Sequence, residues 1–174
     1  MPMTLSRPAA DEYLAYYERY ISLVPDGNLI DVLVEQQRDT MRTLRPVDDE
    51  RGLHAYAEGK WTIKEVIGHL SDAERIFAYR ALRFARGDAQ PLAGFDENAY
   101  APAGRFNERP IRDLVDEFQA IRASTVHLFR HLNEEEMARR GLANGNAISV
   151  RALGYVIAGH ERHHVTLLRE RYGI

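Results

Sequence analysis

Apolar residues recur at spacings of three and four along most of the chain, and the alternating pattern of a half-buried strand does not persist in any segment. A helix places residues with these spacings on one face, so each such segment can bury an apolar stripe. One stripe consists of Leu114, Phe118, Ile121, Leu128 and Leu132. The pattern predicts an all-α fold in which the stripes of several helices pack together.

Start and stop signals divide this pattern into one short and four long helices, which predicts a four-helix bundle with an additional short N-terminal helix. The short helix is expected to run from Ala10 to Leu23 and to end at the turn-forming sequence VPDG of residues 24–27. The expected caps or first residues of the four long helices are Asn28, Thr62, Pro110 and Ser149. At Thr62 the signal is a full capping box, Thr-x-x-Glu.

The region between Gly87 and Asn107 is rich in glycine and proline, which interrupt helices. It predicts a long crossover loop between the second and third long helices. Loops of this length often carry functional residues.

The composition removes several classes of function. The chain has 174 residues, which predicts a single domain over residues 1–174. No apolar run approaches the ~20 residues that a membrane-spanning helix needs, so no membrane partner is expected. A net charge of −3, with acidic and basic residues interspersed, gives no reason to expect nucleic acid as a partner.

The chain contains no cysteine. Disulfides, thiolate nucleophiles and cysteine-ligated zinc or iron–sulfur sites are therefore excluded, and any metal must be held by His, Asp or Glu. The N-terminus also lacks the apolar core of a secretory signal. Together these features predict a cytoplasmic protein.

Two histidines of the last predicted helix, His160 and His164, are four residues apart. Residues at this spacing lie on one face of a helix, about 6 Å apart along its axis, so both imidazoles can reach one metal ion. Both positions continue the apolar stripe of the helix, which predicts that they point into the bundle. His163 is an alternative to His164, but that choice would leave a buried His164 without a role. We therefore favour His164.

Catalytic metal sites usually have three protein ligands and an open position. The third ligand has to come from another helix. His69 lies in the middle of the second long helix, at the edge of its apolar stripe, and is the best candidate. His54 lies in a predicted loop. His127 and His131 form a second pair of the same spacing, but they lie near an acidic helix end, where exposed histidines are common.

Residues 160–164 also match His-Glu-x-x-His, the signature of metalloproteases in which the glutamate is the general base. The Gly-x-x-His extension that supplies a third ligand in many such proteases is absent, and no sheet is predicted before the helix. Di-iron bundles repeat a Glu-x-x-His pair on a second helix with further glutamates, and this chain has no such set. One metal ion is therefore favoured over two, and a peptidase is the least favoured function.

Three segments resemble the motifs of one known family. The segment from Gly59 to Glu74, GKWTIKEVIGHLSDAE, looks like its first histidine motif, and the segment from Ala158 to His164, AGHERHH, looks like its second. The segment from Phe95 to Tyr100, FDENAY, is similar to one that is common in the DinB-like branch. Over nearly its whole length the chain resembles the DinB/YfiT-like superfamily of metal-binding four-helix bundles.

The resemblance implies a three-histidine metal site, carried here onto His69, His160 and His164, and often a homodimer. Members include thiol S-transferases that activate bacillithiol, mycothiol or glutathione, a maleylpyruvate isomerase, and proteins described as metal-dependent hydrolases. The implied function is a transferase or hydrolase that acts on a small molecule with one divalent ion, zinc or nickel. A transferase would also use a low-molecular-weight thiol as co-substrate.

Two carboxylates close to the histidines in sequence, Glu161 and Asp72, are the expected proton-handling groups or partners of the ligands. The alternative function is a non-catalytic metal-binding or stress-response protein with a structural site. An open coordination position favours the enzyme, and a closed one favours this alternative.

The aromatic residues Phe95 and Tyr100 stand out in the predicted crossover loop, because exposed loops seldom hold such residues unless they dock onto something. We expect this segment to line or cover the entrance to the metal site. The alternative is that it pins the loop to the outside of the bundle or to a dimer partner.

Overall fold

A computed structural model describes residues 6–174 and contains eight α-helices and one two-stranded sheet within that range. In chain order the helices are α1 (Glu18–Ile21), α2 (Leu29–Leu44), α3 (Asp49–Gly52), α4 (Ile63–Ala85), α5 (Glu97–Ala103), α6 (Ile111–Arg130), α7 (Glu134–Ala138) and α8 (Val150–Tyr172). The strands β1 (Arg140–Ala143) and β2 (Asn146–Ser149) lie between α7 and α8. The first five residues, part of the N-terminus interpreted as lacking an export signal, lie outside the described residues.

The four long helices pack as a bundle, which confirms the predicted fold class. Helices α2 and α4 each pack against both α6 and α8, so α2 and α4 occupy opposite corners. The connections from α2 to α4 and from α6 to α8 therefore join helices at diagonally opposite corners. None of the described helices combines the length and the apolar character that crossing a membrane requires.

The helix starts follow the predicted local signals. Asn28 accepts hydrogen bonds from the backbone N–H groups of Ile30 and Asp31 at the start of α2. Thr62 and Glu65 form the reciprocal capping box at the start of α4, in which each side chain accepts from the backbone N–H of the other. Each cap satisfies amides that have no partner within the helix.

The N-terminal helix differs from its prediction. Instead of one helix from Ala10 to Leu23, the chain forms two 3-10 turns, Ala10–Glu12 and Ala15–Tyr17, followed by the short α1. The backbone is extended at Tyr13 between the turns. Glu12 stabilises the first turn by accepting from the N–H of Ala9, and it also accepts from the Ser149 hydroxyl at the start of α8. Contacts with α8 thus replace the continuous helix.

The crossover segment is more ordered than predicted. It contains α5, which Asp96 caps by accepting from the N–H groups of Asn98 and Ala99, and a 3-10 turn at Phe106–Glu108. The ring of Phe106 packs directly on Gly68 of α4, where an added Cβ would lie 2.4 Å from the ring. The missing side chain of Gly68 therefore lets the segment dock next to His69.

The hairpin of β1 and β2 was not expected, since the sequence pattern predicted helices only. It places a small sheet directly before α8, where none was predicted. Its turn residues Asn144 and Gly145 both have positive φ, 50° and 75°. Asn-Gly is the preferred sequence for such a two-residue hairpin turn. The signal was present, but each strand is only four residues long.

The buried core consists of two apolar clusters with a polar layer between them. The larger cluster contains apolar residues from Ala73–Ala85 of α4 and Val150–Ala158 of α8. The smaller cluster contains apolar residues from Ile63–Ile67 of α4 and Leu168–Tyr172 of α8. The intervening turns of these helices carry buried histidine and glutamate side chains. The candidate site therefore lies in the middle of the bundle, where α4 packs on α8.

Candidate metal centre

His69 of α4 and His160 and His164 of α8 meet inside the bundle. One ring nitrogen of each lies within 4.8 Å of a ring nitrogen of the other two, and Nε2 of His69 is 2.9 Å from Nε2 of His160. The three residues are 8%, 6% and 9% exposed. Within the described part of the chain, no other cluster of three or more His, Cys, Asp or Glu side chains is compact enough to hold an ion.

The donor set fits a divalent cation. Burial lowers the pKa of His69 to about 4, and burial together with the neighbouring imidazoles holds the pKa values of His160 and His164 well below the ordinary value. The rings are therefore neutral, which is the form that binds metal. A hydrogen bond between His69 and His160 is also within reach. Such a hydrogen bond would still leave the buried Nδ1 of His164 without a partner among the described residues.

The metal-free protein should lose stability as the pH falls from about 6.5 to 4. Unfolded histidine takes up a proton near pH 6.5, whereas folded His69 does so only near 4. Between these values the unfolded state binds more protons, so acid favours unfolding, by about 1.4 kcal/mol per pH unit for His69 alone. Urea unfolding at several pH values measures this effect. An unchanged pH slope in His69→Gln would contradict it.

The three histidines line a cavity of about 530 Å³. Its other walls come from the N-terminal segment, the start and middle of α4, the crossover segment and the turn of the hairpin. Among the residues that the sequence did not single out for the site are Tyr17, Tyr20, Trp61, Phe77 and Arg80. The tyrosine-rich N-terminal segment and the tryptophan just before a capped helix were visible in the sequence, but nothing local showed that they meet the histidines.

Tyr20 covers the histidines from the N-terminal segment. Its ring centroid is 5.3 Å from that of His160 and 5.6 Å from that of His163, in edge-on contacts. Gly159 permits this approach, because a Cβ added there would lie 2.0 Å from the carbonyl oxygen of Tyr20. The glycine before His160 is therefore needed to seat the N-terminal segment against the site.

Glu161 does not face the cavity. Both of its carboxylate oxygens are occupied: they accept from Arg122 Nη1 (2.6 Å), Thr40 Oγ1 (2.7 Å) and Gln36 Nε2 (2.8 Å). Because successive helical residues differ by about 100°, a glutamate next to His160 points elsewhere in the bundle. The proton-handling role predicted for Glu161 does not fit this placement, since its carboxylate belongs to a buried ion pair.

Asp72 is also outside the cavity lining. Its carboxylate lies 3.8 Å from the guanidinium of Arg75 on the same helix, close to Glu117 of α6. Burial raises the pKa of this carboxyl group. The role predicted for Asp72 beside the ligands therefore lacks the required contact.

The structure separates the two aromatic residues of the crossover segment. Phe95 lines the cavity, with its ring centroid 6.5 Å from that of Phe77, which in turn is 5.9 Å from that of His160. Tyr100 is 44% exposed and packs on Phe95, with their ring centroids 5.5 Å apart. The entrance position expected for the segment fits Phe95, whereas Tyr100 supports Phe95 and does not line the cavity.

The remaining histidines lie outside the buried group. His163 is exposed at the cavity, with its ring 5.1 Å from that of His164. His54, His127 and His131 are exposed at other places on the bundle. Helix phase alone thus separated His164 from His163 correctly with respect to burial.

The fold and this group of buried histidines define a four-helix bundle with a candidate three-histidine metal centre. The sequence matches the DinB superfamily over residues 33–168, so the chain belongs to that family.

Proteins similar to this chain carry names that refer to metal. Two of them are proteins of Oceanobacillus iheyensis, each named "Putative metal-dependent hydrolase". One is 27% identical to this chain over 129 residues, which is 73% of both chains. The other is 25% identical over 150 residues, which is 80% of this chain and 86% of the relative.

A solved structure also shares the fold. YfiT from Bacillus subtilis, described as "a probable metal-dependent hydrolase with an unusual four-helix bundle topology", superposes with a TM-score of 0.71 at 20% identity. The superposition covers 83% of this chain and 86% of YfiT.

Proposed function

We propose that this protein is a metal-dependent enzyme for a small-molecule substrate, in which His69, His160 and His164 hold one divalent ion, zinc or nickel. The observation that carries the proposal is the convergence of three buried, neutral imidazoles beside a cavity of about 530 Å³. Imidazole is a ligand that suits both metals. Such an ion supplies a Lewis acid, which activates water or a thiol for attack.

The side chains around the histidines suit this role. Trp61 packs on His69 with ring centroids 4.8 Å apart, and Phe77 and Tyr20 contact His160. These rings exclude water from the sides of the ligands. The cavity leaves one side accessible to a substrate, which supports an enzyme over a protein with a closed structural site.

Hydrolysis is the first candidate reaction, supported by the names of the two relatives. Transfer to a low-molecular-weight thiol is the second, supported by the ability of a bound metal ion to stabilise a thiolate. Glu161 and Asp72, the two carboxylates predicted to handle protons, do not line the cavity, whereas Glu97 of the crossover segment does. A thiol requires less help, because its pKa is already close to neutrality. Glu161 is also not placed to act as the general base of a peptidase.

An assay with two substrate panels tests the proposal. Metal-loaded protein and chelator-treated protein are each incubated with a panel of esters and amides, and with electrophiles in the presence and absence of low-molecular-weight thiols. We expect metal-dependent consumption that is lost in His160→Ala and retained in His54→Ala. Turnover without thiol identifies a hydrolase, and turnover only with thiol identifies a transferase. No metal-dependent turnover in either panel would favour the non-catalytic alternative.

The homodimer and the cytoplasmic location stay predictions from the sequence. Size-exclusion chromatography with light scattering measures the first.

A further inference from the structure

Arg80 of α4 is a buried cation without an anionic partner. It is 3% exposed, and no carboxylate of the described residues lies within 4 Å of its guanidinium. The other deeply buried arginine, Arg122, is paired with both Glu74 and Glu161. An unpaired buried charge is costly, so buried charges are normally paired or bind a ligand.

The contacts of Arg80 within the chain leave much of its hydrogen-bonding capacity unused. Nη2 donates to the carbonyl oxygen of Ala93 at 2.9 Å, which ties α4 to the crossover segment. The Tyr17 phenol also interacts with the guanidinium. Burial lowers the pKa of Arg80, but an arginine remains charged and offers five N–H donors. Fixing the loop through Ala93 uses one of them.

Arg80 lines the same cavity as the three histidines. Its guanidinium carbon lies 5.9 Å from the ring centroid of Phe77, and that centroid lies 5.9 Å from the ring of His160. The Phe95 centroid is also 5.9 Å from the guanidinium. The cation therefore lies beside two neighbouring aromatic rings, whose centroids are 6.5 Å apart, and a single phenylalanine separates it from the candidate metal ligand.

We propose that Arg80 binds the carboxylate of a small organic acid, and that the apolar body of this acid lies along Phe77 towards the histidines. A guanidinium matches one carboxylate in a two-point hydrogen-bonded pair. The other arginine of the lining, Arg19, is exposed. Arg80 thus supplies one buried charge, which favours a monocarboxylate over a phosphate dianion. The position of the reacting group at the histidines rests on the proposed function, whereas binding of the acid by Arg80 does not.

Calorimetric titration of metal-free and metal-loaded protein tests the proposal with three probes of similar shape: phenylacetate, its neutral analogue phenylacetamide, and phenyl phosphate. We expect phenylacetate to bind about 10-fold or more tightly than the amide, because a hydrogen bond to a charged group contributes more than a neutral one. This preference should persist without metal.

Variants assign the preference to Arg80. In Arg80→Gln the acid and the amide should bind equally, whereas Arg80→Lys should retain part of the preference because it keeps the charge. Arg86→Gln, a change to an exposed arginine at the end of the same helix, is the matched control and should bind like the wild type. Circular dichroism and metal content verify that each variant is folded.

Several results would overturn the proposal: equal binding of acid and amide by the wild type, an unchanged preference in Arg80→Gln, or tighter binding of phenyl phosphate than of phenylacetate. The two proposals also fail separately. If acid binding depends on Arg80 but no metal-dependent turnover is found, only the proposed function is contradicted. If turnover is found without selectivity for the acid, only the role of Arg80 is contradicted.

Discussion

Purified protein should contain about one divalent ion per chain, and alanine in place of His69, His160 or His164 should weaken its affinity for metal by more than about 100-fold. Loss of an outer partner of a metal ligand already costs 10- to 100-fold, and each substitution here removes a ligand itself. The remaining two imidazoles would hold the ion at an open and partly hydrated site. Elemental analysis after dialysis against a weak chelator measures the loss.

His163 provides the sharpest control for this experiment. Its ring lies 5.1 Å from that of His164, but it is exposed and is not part of the compact group. His163→Ala should keep nearly full occupancy, as should His54→Ala and His127→Ala. Equal losses in His163→Ala and His164→Ala would show that the ligand set is wrong, and full occupancy in all three ligand variants would end the metal hypothesis.

Arg122→Met should destabilise the protein by about 3–5 kcal/mol, because it leaves two buried carboxylates without their cation. Arg122 is fully buried and forms a two-point pair with Glu74 through Nε and Nη2, both at 2.8 Å. Its Nη1 donates to Glu161 at 2.6 Å. Burial alone would lower the pKa of the guanidinium, but the two carboxylates outweigh it and raise the pKa.

The expected loss is a large part of the 5–15 kcal/mol that stabilises a typical domain. Urea unfolding followed by circular dichroism measures it. Adding Glu74→Gln and Glu161→Gln to Arg122→Met should recover part of the loss, because the unpaired charges are then removed. Arg105→Met, at an exposed pair with Glu108, is the control and should leave the unfolding midpoint unchanged. A loss within about 0.5 kcal/mol, as at ordinary surface positions, would contradict the prediction.

The same network fixes the helices that carry the three candidate ligands. It joins all four long helices, since Thr40 and Gln36 of α2, Glu74 of α4, Arg122 of α6 and Glu161 of α8 take part. Anchoring Glu161 sets the rotation of α8 about its axis. His160 and His164 then face His69, so the glutamate of the His-Glu-x-x-His string contributes to the site by positioning.

The features that the sequence predicted well depend on local interactions. The caps at Asn28, Thr62 and Ser149 use residues within three positions, so their effect can be read along the chain. The periodicity of α8 likewise determined that His160 and His164 share a buried face while His163 does not. One helix is thus enough to identify two of the three clustered histidines.

The features that the sequence did not predict depend on residues distant in the chain. The N-terminal segment is extended at Tyr13 and binds Ser149 through Glu12, and Glu161 pairs with Arg122 of another helix, outside the cavity. Arg80 is unpaired only because the fold brings no carboxylate to it. The sequence alone determined the four long helices and which of their faces are buried, since neighbouring residues set both. Only the tertiary structure decided which polar groups meet between the helices, because a charge several turns away cannot be assigned a partner until the helices pack.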